Sequence, residues 1–173
     1  MSEYKLLLNG DWLVGKYDKL LLDFADDFNS INWIKSRVPR SIHYDLMDAV
    51  IINNIFESSQ SAKDAEWVCF SSWVYKKTFD VPKDYIGKKR IFISFDCIDT
   101  FSDIYINDVY VGSTSDMFLQ YRFEITDLPL KQKDNMLIVH IKAHDKMVER
   151  KINIAKEKLK ISDPSGYLLL KSL

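Results

Sequence analysis

The sequence has few of the residues from which nucleotide-binding loops and disulfide frameworks are built. It contains five glycines and two cysteines in 173 residues. Loops that cradle phosphate need glycines at close spacing, and these glycines are scattered, so neither a P-loop nor a dinucleotide fingerprint is present. Cys69 and Cys97 each lie in an apolar stretch, and we expect both to be free, buried and packed as small hydrophobic residues.

The chain also lacks a surplus of one charge and a long apolar run. Its net charge is −1 at pH 7, whereas nucleic-acid binders usually carry a basic surplus because phosphate neutralisation supplies most of their affinity. No apolar run approaches the ~18 residues of a membrane span, and the first residues do not resemble a signal peptide. We therefore expect no nucleic-acid partner, no membrane partner and a cytoplasmic location.

Most of the chain consists of short segments in which apolar and polar residues alternate. This period-two pattern is typical of half-buried strands, and it predicts strands at residues 73–79, 90–95, 101–106, 109–112, 121–125 and 136–143. Asn107-Asp108 separates two of these segments and indicates a hairpin. Because the turns recur at short intervals, the pattern favours a mostly β, antiparallel sandwich over βαβ units.

Helical patterns interrupt the strands in three places. Residues 41–52 carry apolar side chains at helical spacing, residues 61–64 resemble a capping box, and residues 145–161 are predicted to be helical before a break at 162–166. Near the start, Asn9-Gly10 predicts a turn. We divide the chain into a sandwich domain, residues 1–145, and a helical, charged extension, residues 146–173.

The residues that could carry chemistry do not assemble into a recognised site. His140 and His144 are four apart, but a strand would separate them by about 13 Å, too far to share one metal ion. Asp96 and Asp99 lie at a strand end, where aspartate usually caps backbone N–H groups rather than acting in catalysis. We therefore assign no catalytic residue, no cofactor and no metal.

The four tryptophans offer the remaining candidate for ligand binding, because an indole face can stack on a sugar ring. Trp73 opens an alternating strand and is expected to lie in the core. Trp33 lies in an irregular segment, and we name it as the candidate substrate-binding residue. Substrate binding is otherwise unassigned.

Taken in order, the segments resemble the N-terminal domain of family 2 glycoside hydrolases of β-mannosidase type. Residues 38–46 (VPRSIHYDL) are similar to the family's Val-Pro-Gly-(Ser/Thr)-Val-His-x-Asp-Leu, and residues 95–100 (FDCIDT) are similar to its Phe-(Asp/Glu)-Gly-(Leu/Ile)-Asp-Thr. Residues 73–79 (WVYKKTF) match Trp-x-Tyr-(Arg/Lys)-(Arg/Lys)-x-Phe. Further similar pieces lie at 8–12, 54–56, 67, 106–107, 111–112, 116–118, 121–126 and 135–137.

The chain departs from this pattern at three turn positions. Arg40 and Cys97 stand where the family has glycine, and Asp108 stands where it has the glycine of an Asn-Gly turn. These changes indicate altered turn geometry and a divergent member, and the ordered motifs still predict the family's fold over about residues 5–145.

The resemblance implies a jelly-roll sandwich, galactose-binding-domain-like, which packs against a later (β/α)₈ barrel. In the family two glutamates of that barrel hydrolyse β-mannosides with retention. A barrel typically needs ≈ 250 residues, and the family's pocket-bordering Gly-Trp-Asp-Trp-Gly stretch would follow shortly after residues 169–171. We therefore expect this chain to lack the catalytic part and to be inactive alone.

Three alternatives remain open from the sequence. The chain could be a stand-alone carbohydrate-binding module, the N-terminal domain of a β-galactosidase or β-glucuronidase of the same family, or a non-enzymatic interaction domain. In the last case the exposed barrel-facing surface would promote self-association.

Overall fold

The computed structural model describes residues 5–19, 21–24, 28–87 and 90–159. These residues form eight β-strands and three α-helices, with three short 3₁₀ turns at Phe28–Ser30, Glu66–Val68 and Lys83–Tyr85. The strands are β1 Gly10–Lys16, β2 Ile34–Val38, β3 Trp73–Phe79, β4 Phe92–Phe95, β5 Ser102–Ile106, β6 Val109–Thr114, β7 Tyr121–Glu124 and β8 Asn135–Ile141. The helices are α1 Ile42–Asp48, α2 Ser59–Asp64 and α3 His144–Leu159.

The strands form two antiparallel layers. The larger sheet has six strands in the order β2-β1-β3-β8-β5-β6, and the smaller one pairs β4 with β7. The predicted antiparallel sandwich is therefore confirmed, and so is the hairpin at Asn107-Asp108, which joins β5 to β6.

The main core fills the space between the two layers. Alternate residues of the six-stranded sheet face inwards, among them Trp73, Ile104 and Leu137, and Ile93 of β4 meets them from the smaller sheet. Leu46 of α1 closes the side of this core and is almost completely buried. The expected core position of Trp73 is confirmed by its exposure of 6%.

The opposite face of the six-stranded sheet is also covered. The described parts of residues 17–33, which we name the covering segment, pack Tyr17 and Ile31 onto Val74 and Ile138. A Cβ at Gly15 would overlap the Ile31 side chain, so the glycine lets the covering segment lie directly against β1. The face turned away from the smaller sheet is thus a second, smaller core rather than a solvated surface.

Two local expectations were wrong. Asn9-Gly10 does not join two strands, because Gly10 is already the first residue of β1 and pairs with Val38 of β2. The N-cap of α2 is Ser58, whose hydroxyl accepts a hydrogen bond from Ser61 N at 3.0 Å, so Ser61 lies inside the helix and not at its start.

The two cysteines are free, as expected, but both are exposed, so the expectation of burial was wrong. Cys69 follows the 3₁₀ turn Glu66–Val68, and Cys97 lies in the loop after β4. In a turn, apolar neighbours in the sequence do not direct a side chain inwards as alternation in a strand does.

The predicted C-terminal helix is present as α3 over the described residues, and the predicted break at 162–166 lies outside them. Among the described helices, none combines the length and the apolar character that crossing a membrane requires.

Candidate functional site

A buried carboxylate, Asp45, ties α1 to the edge strand β2. Its Oδ2 accepts a hydrogen bond from Ser36 Oγ at 2.8 Å, and its Oδ1 accepts one from Arg37 N at 3.3 Å. Asp45 is 2% exposed. Ser41 is the N-cap of the helix that carries it, and the Ser41 side chain accepts a hydrogen bond from His43 N. This cap satisfies one of the free N–H groups of the first turn, and Asp45 and Leu46 are the buried residues of the helix.

Arg40 extends this cluster to the surface. One guanidinium nitrogen, Nη1, lies 2.7 Å from Asp48 Oδ2 and 3.7 Å from Asp45 Oδ1. The guanidinium also lies over the Tyr44 ring at 5.1 Å. The hydrogen bond to Asp48 raises the pKa of Arg40. A glycine here could make none of these contacts.

Burial raises the pKa of Asp45, and the hydrogen bonds from Ser36 and Arg37 only partly oppose this effect. Burial likewise raises the pKa of Tyr75, with a smaller contribution from the Asp45 charge. A carboxyl group with a raised pKa can serve as a general acid. Both Asp45 oxygens are already engaged within the domain, however, so the arrangement supports a structural role.

A groove of about 460 Å³ runs between β2 and α1 beside this cluster. Its lining is rich in charged side chains, namely Asp11, Lys35, Arg37, Arg40, Asp45 and Asp48. Ligand pockets are usually mostly apolar with a few polar groups that fix orientation. A groove with this lining suits a polar ligand, and it lacks the converging pair of free carboxylates that glycoside hydrolysis uses.

The second candidate region is the end of the sandwich where β3 and β5 begin and where β6 and β8 finish. The pairs Trp73↔Ile141 and Ser102↔Thr114 place these strand ends together. The loops there carry exposed large apolar side chains, namely Trp67, Phe70, Phe118 and Leu119. We name this region the loop end.

Hydrogen bonds hold the most exposed of these loops in place. The Tyr121 hydroxyl accepts from Ser115 N at 3.0 Å and from Asp116 N at 2.9 Å. Asp116 Oδ1 in turn accepts from Phe118 N at 2.8 Å. Phe118 is nevertheless 85% exposed. Aromatic residues, phenylalanine among them, are enriched in the cores of protein interfaces, so this loop is a candidate contact surface.

Trp33 is not among the residues that line the groove, nor among the exposed apolar residues of the loop end. It is half-buried immediately before β2, with its ring centroid 5.1 Å from that of Phe28 and 4.7 Å from Lys76 Nζ. Its proposed part in substrate binding stays a prediction.

The two aspartates singled out from the sequence have side-chain partners. Asp96 accepts a hydrogen bond from Gln120 at 2.7 Å, and Asp99 accepts one from the Thr100 hydroxyl. Both residues are exposed in the loop after β4. They connect loop residues to each other, and the partners are side chains rather than the backbone N–H groups that we expected.

The two histidines are separated by the end of β8. His140 is completely buried in that strand, whereas His144 begins α3 and is exposed. Among the described residues, no group of three or more histidine, cysteine or acidic side chains is placed to hold a metal ion.

The motif at residues 38–46 contains Asp45, but the sequence did not lead us to predict that Asp45 is buried and bonded to β2. A sign of this contact was present in the sequence, since Ser36 and Asp45 are polar residues at positions of a strand and a helix that face the core. Alternation places Ser36 on the inner face with Ile34 and Val38, and such a position needs a polar partner.

The two antiparallel layers and the loop end define a galactose-binding-like sandwich domain. The chain belongs to the family described as glycosyl hydrolase 2 galactose-binding domain-like, whose model matches residues 23–169. The resemblance drawn from the sequence motifs is therefore confirmed.

Its relatives include β-mannosidases. The chain is 30% identical over 104 residues to β-mannosidase B of Thermothelomyces thermophilus, covering 60% of this chain and 12% of the relative. The crystal structure of β-D-mannosidase from Dictyoglomus thermophilum matches with 31% identity and a TM-score of 0.72, over 84% of this chain and 16% of that one. A β-glucuronidase of Formosa agariphila is 27% identical over 135 residues, 77% of this chain and 13% of the relative.

Proposed function

We propose that this chain is the N-terminal, non-catalytic domain of a β-mannosidase-like glycoside hydrolase. The parent enzyme would hydrolyse terminal β-D-mannosides with retention through a barrel outside these residues. The observation that carries this proposal is the match to the Dictyoglomus thermophilum β-D-mannosidase, at 31% identity over 84% of this chain. The chain spans 16% of that protein, so the greater part of such an enzyme would lie elsewhere.

A β-glucuronidase-type parent is the first alternative. The match to a Formosa agariphila β-glucuronidase supports it, at 27% identity over 77% of this chain. Structures of a Ruminococcus gnavus β-glucuronidase share the fold at 18% identity with a TM-score of 0.55. The higher identity and TM-score of the β-D-mannosidase favour a β-mannosidase-like parent enzyme.

Within such an enzyme the domain would support the barrel and form one wall of its pocket. The ordered loop that presents Phe118 and the exposed Trp67 and Phe70 support the loop end as the surface that meets the barrel. Tryptophan and phenylalanine are among the residues enriched in the cores of protein interfaces. In the isolated chain the same surface would promote self-association.

The decisive experiment concerns the reading frame that contains this sequence. Its continuation should encode the Gly-Trp-Asp-Trp-Gly stretch and a barrel, and the expressed product should hydrolyse an aryl β-D-mannoside. Hydrolysis of an aryl β-D-glucuronide, measured in parallel, is the comparison that separates the two parent enzymes. A preference for the glucuronide would favour a β-glucuronidase-type parent instead. A reading frame that encodes no barrel would overturn the proposal.

The same substrates test the isolated chain. Purified residues 1–173 should show no turnover of the aryl β-D-mannoside, because the described residues assemble no pair of free catalytic carboxylates around a pocket. Measurable hydrolysis by the purified chain would contradict this part of the proposal.

The second candidate function is a stand-alone carbohydrate-binding module. The charged groove beside Arg40 and Asp48 is the feature that favours it. Calorimetric titration with mannose and with manno-oligosaccharides distinguishes a carbohydrate-binding module from a non-catalytic domain of a larger enzyme. We expect no heat at millimolar sugar, and a saturable signal that disappears in Arg40→Gly would support the binding module instead.

A further inference from the structure

Three cationic side chains lie on the outer face of the large sheet, on the three strands β2, β1 and β3 and their neighbours in register. In β2 and β3 the alternate residues that point the other way belong to the main core, so Lys35, Arg37 and Lys76 point outwards. Leu13 of β1 pairs with Lys35 on one side and with Lys76 on the other. We name Lys35, Arg37 and Lys76 the basic strip.

The strand register sets the spacing of these charges. Two strand spacings separate the backbones of Lys35 and Lys76, which is about 10 Å, and two residues of β2 separate Lys35 from Arg37, which is about 7 Å. Asp11, opposite Arg37, is the acidic residue of this face of β1. The basic strip therefore carries a local positive surplus, although the net charge of the whole chain is −1. Such a surplus attracts anions.

The cations of the basic strip are not neutralised by the rest of the domain. Among the ion pairs between described residues, none includes a member of the basic strip. Arg40, by contrast, is paired with Asp48. Lys76 Nζ lies 4.7 Å from the centre of the Trp33 ring and 5.2 Å from that of Phe28. These two rings hold the ammonium group in place without cancelling its charge.

Two adjoining grooves follow the basic strip. One has a volume of about 470 Å³ and is lined by Lys35, Lys76 and Thr78 among others. The other is the groove of about 460 Å³ beside α1, which Arg37 also lines. Both grooves are lined by Asp11 and Lys35, so together they form one trough that contacts all three cations.

Protection of a sheet edge explains only part of this charge. Edge strands often carry charged residues because these discourage pairing with another chain, which accounts for Lys35 and Arg37 on β2. Lys76 lies on β3, which is flanked by β1 and β8, so no edge is present there. The edge is also covered at Arg37, whose N–H donates to Asp45 of α1. A charge at Lys76 that faces the same trough is better explained by a ligand.

We propose that the trough binds an anionic oligosaccharide, a sugar chain whose acid groups contact the basic strip. Lysine and arginine bind such groups through charge-assisted hydrogen bonds. Asp11 favours a sugar over a nucleic acid, because a carboxylate only accepts hydrogen bonds and sugar hydroxyls can donate them, whereas phosphodiester groups cannot. An acidic peptide would bind best by strand addition to β2, but the outward N–H of Arg37 is already used by Asp45.

The inference goes beyond the proposed function, since it assigns a ligand surface that lies within this domain. It does not depend on which parent enzyme contains the domain, and a negative result would leave that proposal unchanged. It also differs from a module for neutral sugars, because here the acid groups supply most of the affinity.

Calorimetric titration of residues 1–173 with trigalacturonic acid at low salt tests the proposal. We expect saturable binding that weakens as NaCl is added, because the added ions screen the charges. Mannotriose, the neutral control, should give no heat, and triglutamate, which carries carboxylates on a peptide chain, should bind more weakly. The proposal would be overturned by the absence of a saturable signal with trigalacturonic acid. Binding of mannotriose, triglutamate or a short DNA duplex with equal affinity would also overturn it.

Charge-removing variants identify the surface that binds. Lys35→Gln/Lys76→Gln should weaken trigalacturonate binding by about tenfold or more, because hydrogen bonds to charged groups are lost. Lys63→Gln/Arg122→Gln removes the same charge from α2 and β7, and neither residue lines the trough. This control should bind as the wild type does. Equal losses in the two double variants would indicate attraction to the chain as a whole and would contradict the proposal.

A second pair of substitutions gives a result even if the loss of the Lys76 contacts prevents folding. Lys35→Gln/Arg37→Gln alters only exposed side chains of β2 and should weaken binding by a similar factor. Unchanged affinity for trigalacturonate in this variant would exclude the basic strip as the binding surface.

Discussion

Ser36 Oγ donates a 2.8 Å hydrogen bond to Asp45 Oδ2, and this bond joins the edge strand of the large sheet to the helix that follows it. Both residues are at least nine-tenths buried. The bond explains how two polar residues can occupy inward-facing positions beside the main core, since each satisfies the other.

Removing this donor should destabilise the domain. Ser36→Ala leaves Asp45 Oδ2 buried without its hydroxyl partner, so the free energy of unfolding should fall by about 1–3 kcal/mol. Urea unfolding followed by tryptophan fluorescence measures the change. Ser113→Ala, on an exposed position of β6, is the matched control and should be almost neutral. Equal effects in the two variants would show that the bond does not contribute.

Val50 should be a site at which substitution stabilises the chain. It has a positive φ of 57° just after α1 and is 89% exposed. Val50 N donates to Met47 O and Ile51 N donates to Leu46 O, the pairing in which a helix end favours glycine.

A β-branched residue in this left-handed conformation is costly, so Val50→Gly should raise the free energy of unfolding by about 1 kcal/mol. Thermal and urea unfolding both report the change. Ala49→Gly, one residue earlier and with negative φ, should instead be destabilising. If both glycine variants lost stability, the strain attributed to Val50 would be absent.

The contact between β1 and the covering segment should not tolerate an added methyl group. In Gly15→Ala the new Cβ would overlap the Ile31 side chain and lie 3.1 Å from Asn32 O. Overpacking of this kind typically costs about 1–3 kcal/mol.

A double-mutant cycle with Ile31→Ala tests the cause. In the Ile31→Ala background the space for the new methyl group is larger, so Gly15→Ala should cost less there than in the wild type. Purely additive losses of stability would mean that the two side chains do not meet.

Phe118 should promote self-association of the isolated chain. It is 85% exposed on a hydrogen-bonded loop, so little ordering is required when it contacts a second molecule. Phe118→Ser should reduce the apparent mass of the concentrated chain in light scattering. Leu21→Ser, which alters a side chain that is 74% exposed elsewhere, is the control and should have no comparable effect. A wild-type chain that stays monomeric at high concentration would exclude this surface as an association site.

Several elements of the fold could be predicted from local sequence. The strand Trp73–Phe79 has the predicted bounds, and the hairpin at Asn107-Asp108 forms as expected. Both depend on interactions between near neighbours, namely side-chain alternation and the tolerance of Asn107 and Asp108 for positive φ.

Other elements could not be recognised in this way. The edge strand Ile34–Val38 has a serine in its central inward position, so its alternation does not identify an apolar face. Strand β8 is apolar on both faces because the covering segment packs against its second face, and alternation alone cannot show which segment does so. The exposure of Cys69 and Cys97 likewise depends on turns that redirect the chain. The domain division at residue 145, the cytoplasmic location and the sugar contact of Trp33 stay predictions.

The antiparallel β class and the family can be predicted from the amino-acid sequence, because alternation, turn residues and the order of motifs can all be recognised along the chain. The hydrogen bond from Ser36 to Asp45, the ion pair between Arg40 and Asp48 and the burial of His140 against the Tyr17 ring became visible when the layers were seen packed together. These relationships join residues from different elements, and their energies depend on burial and distance, which exist only once the layers have packed.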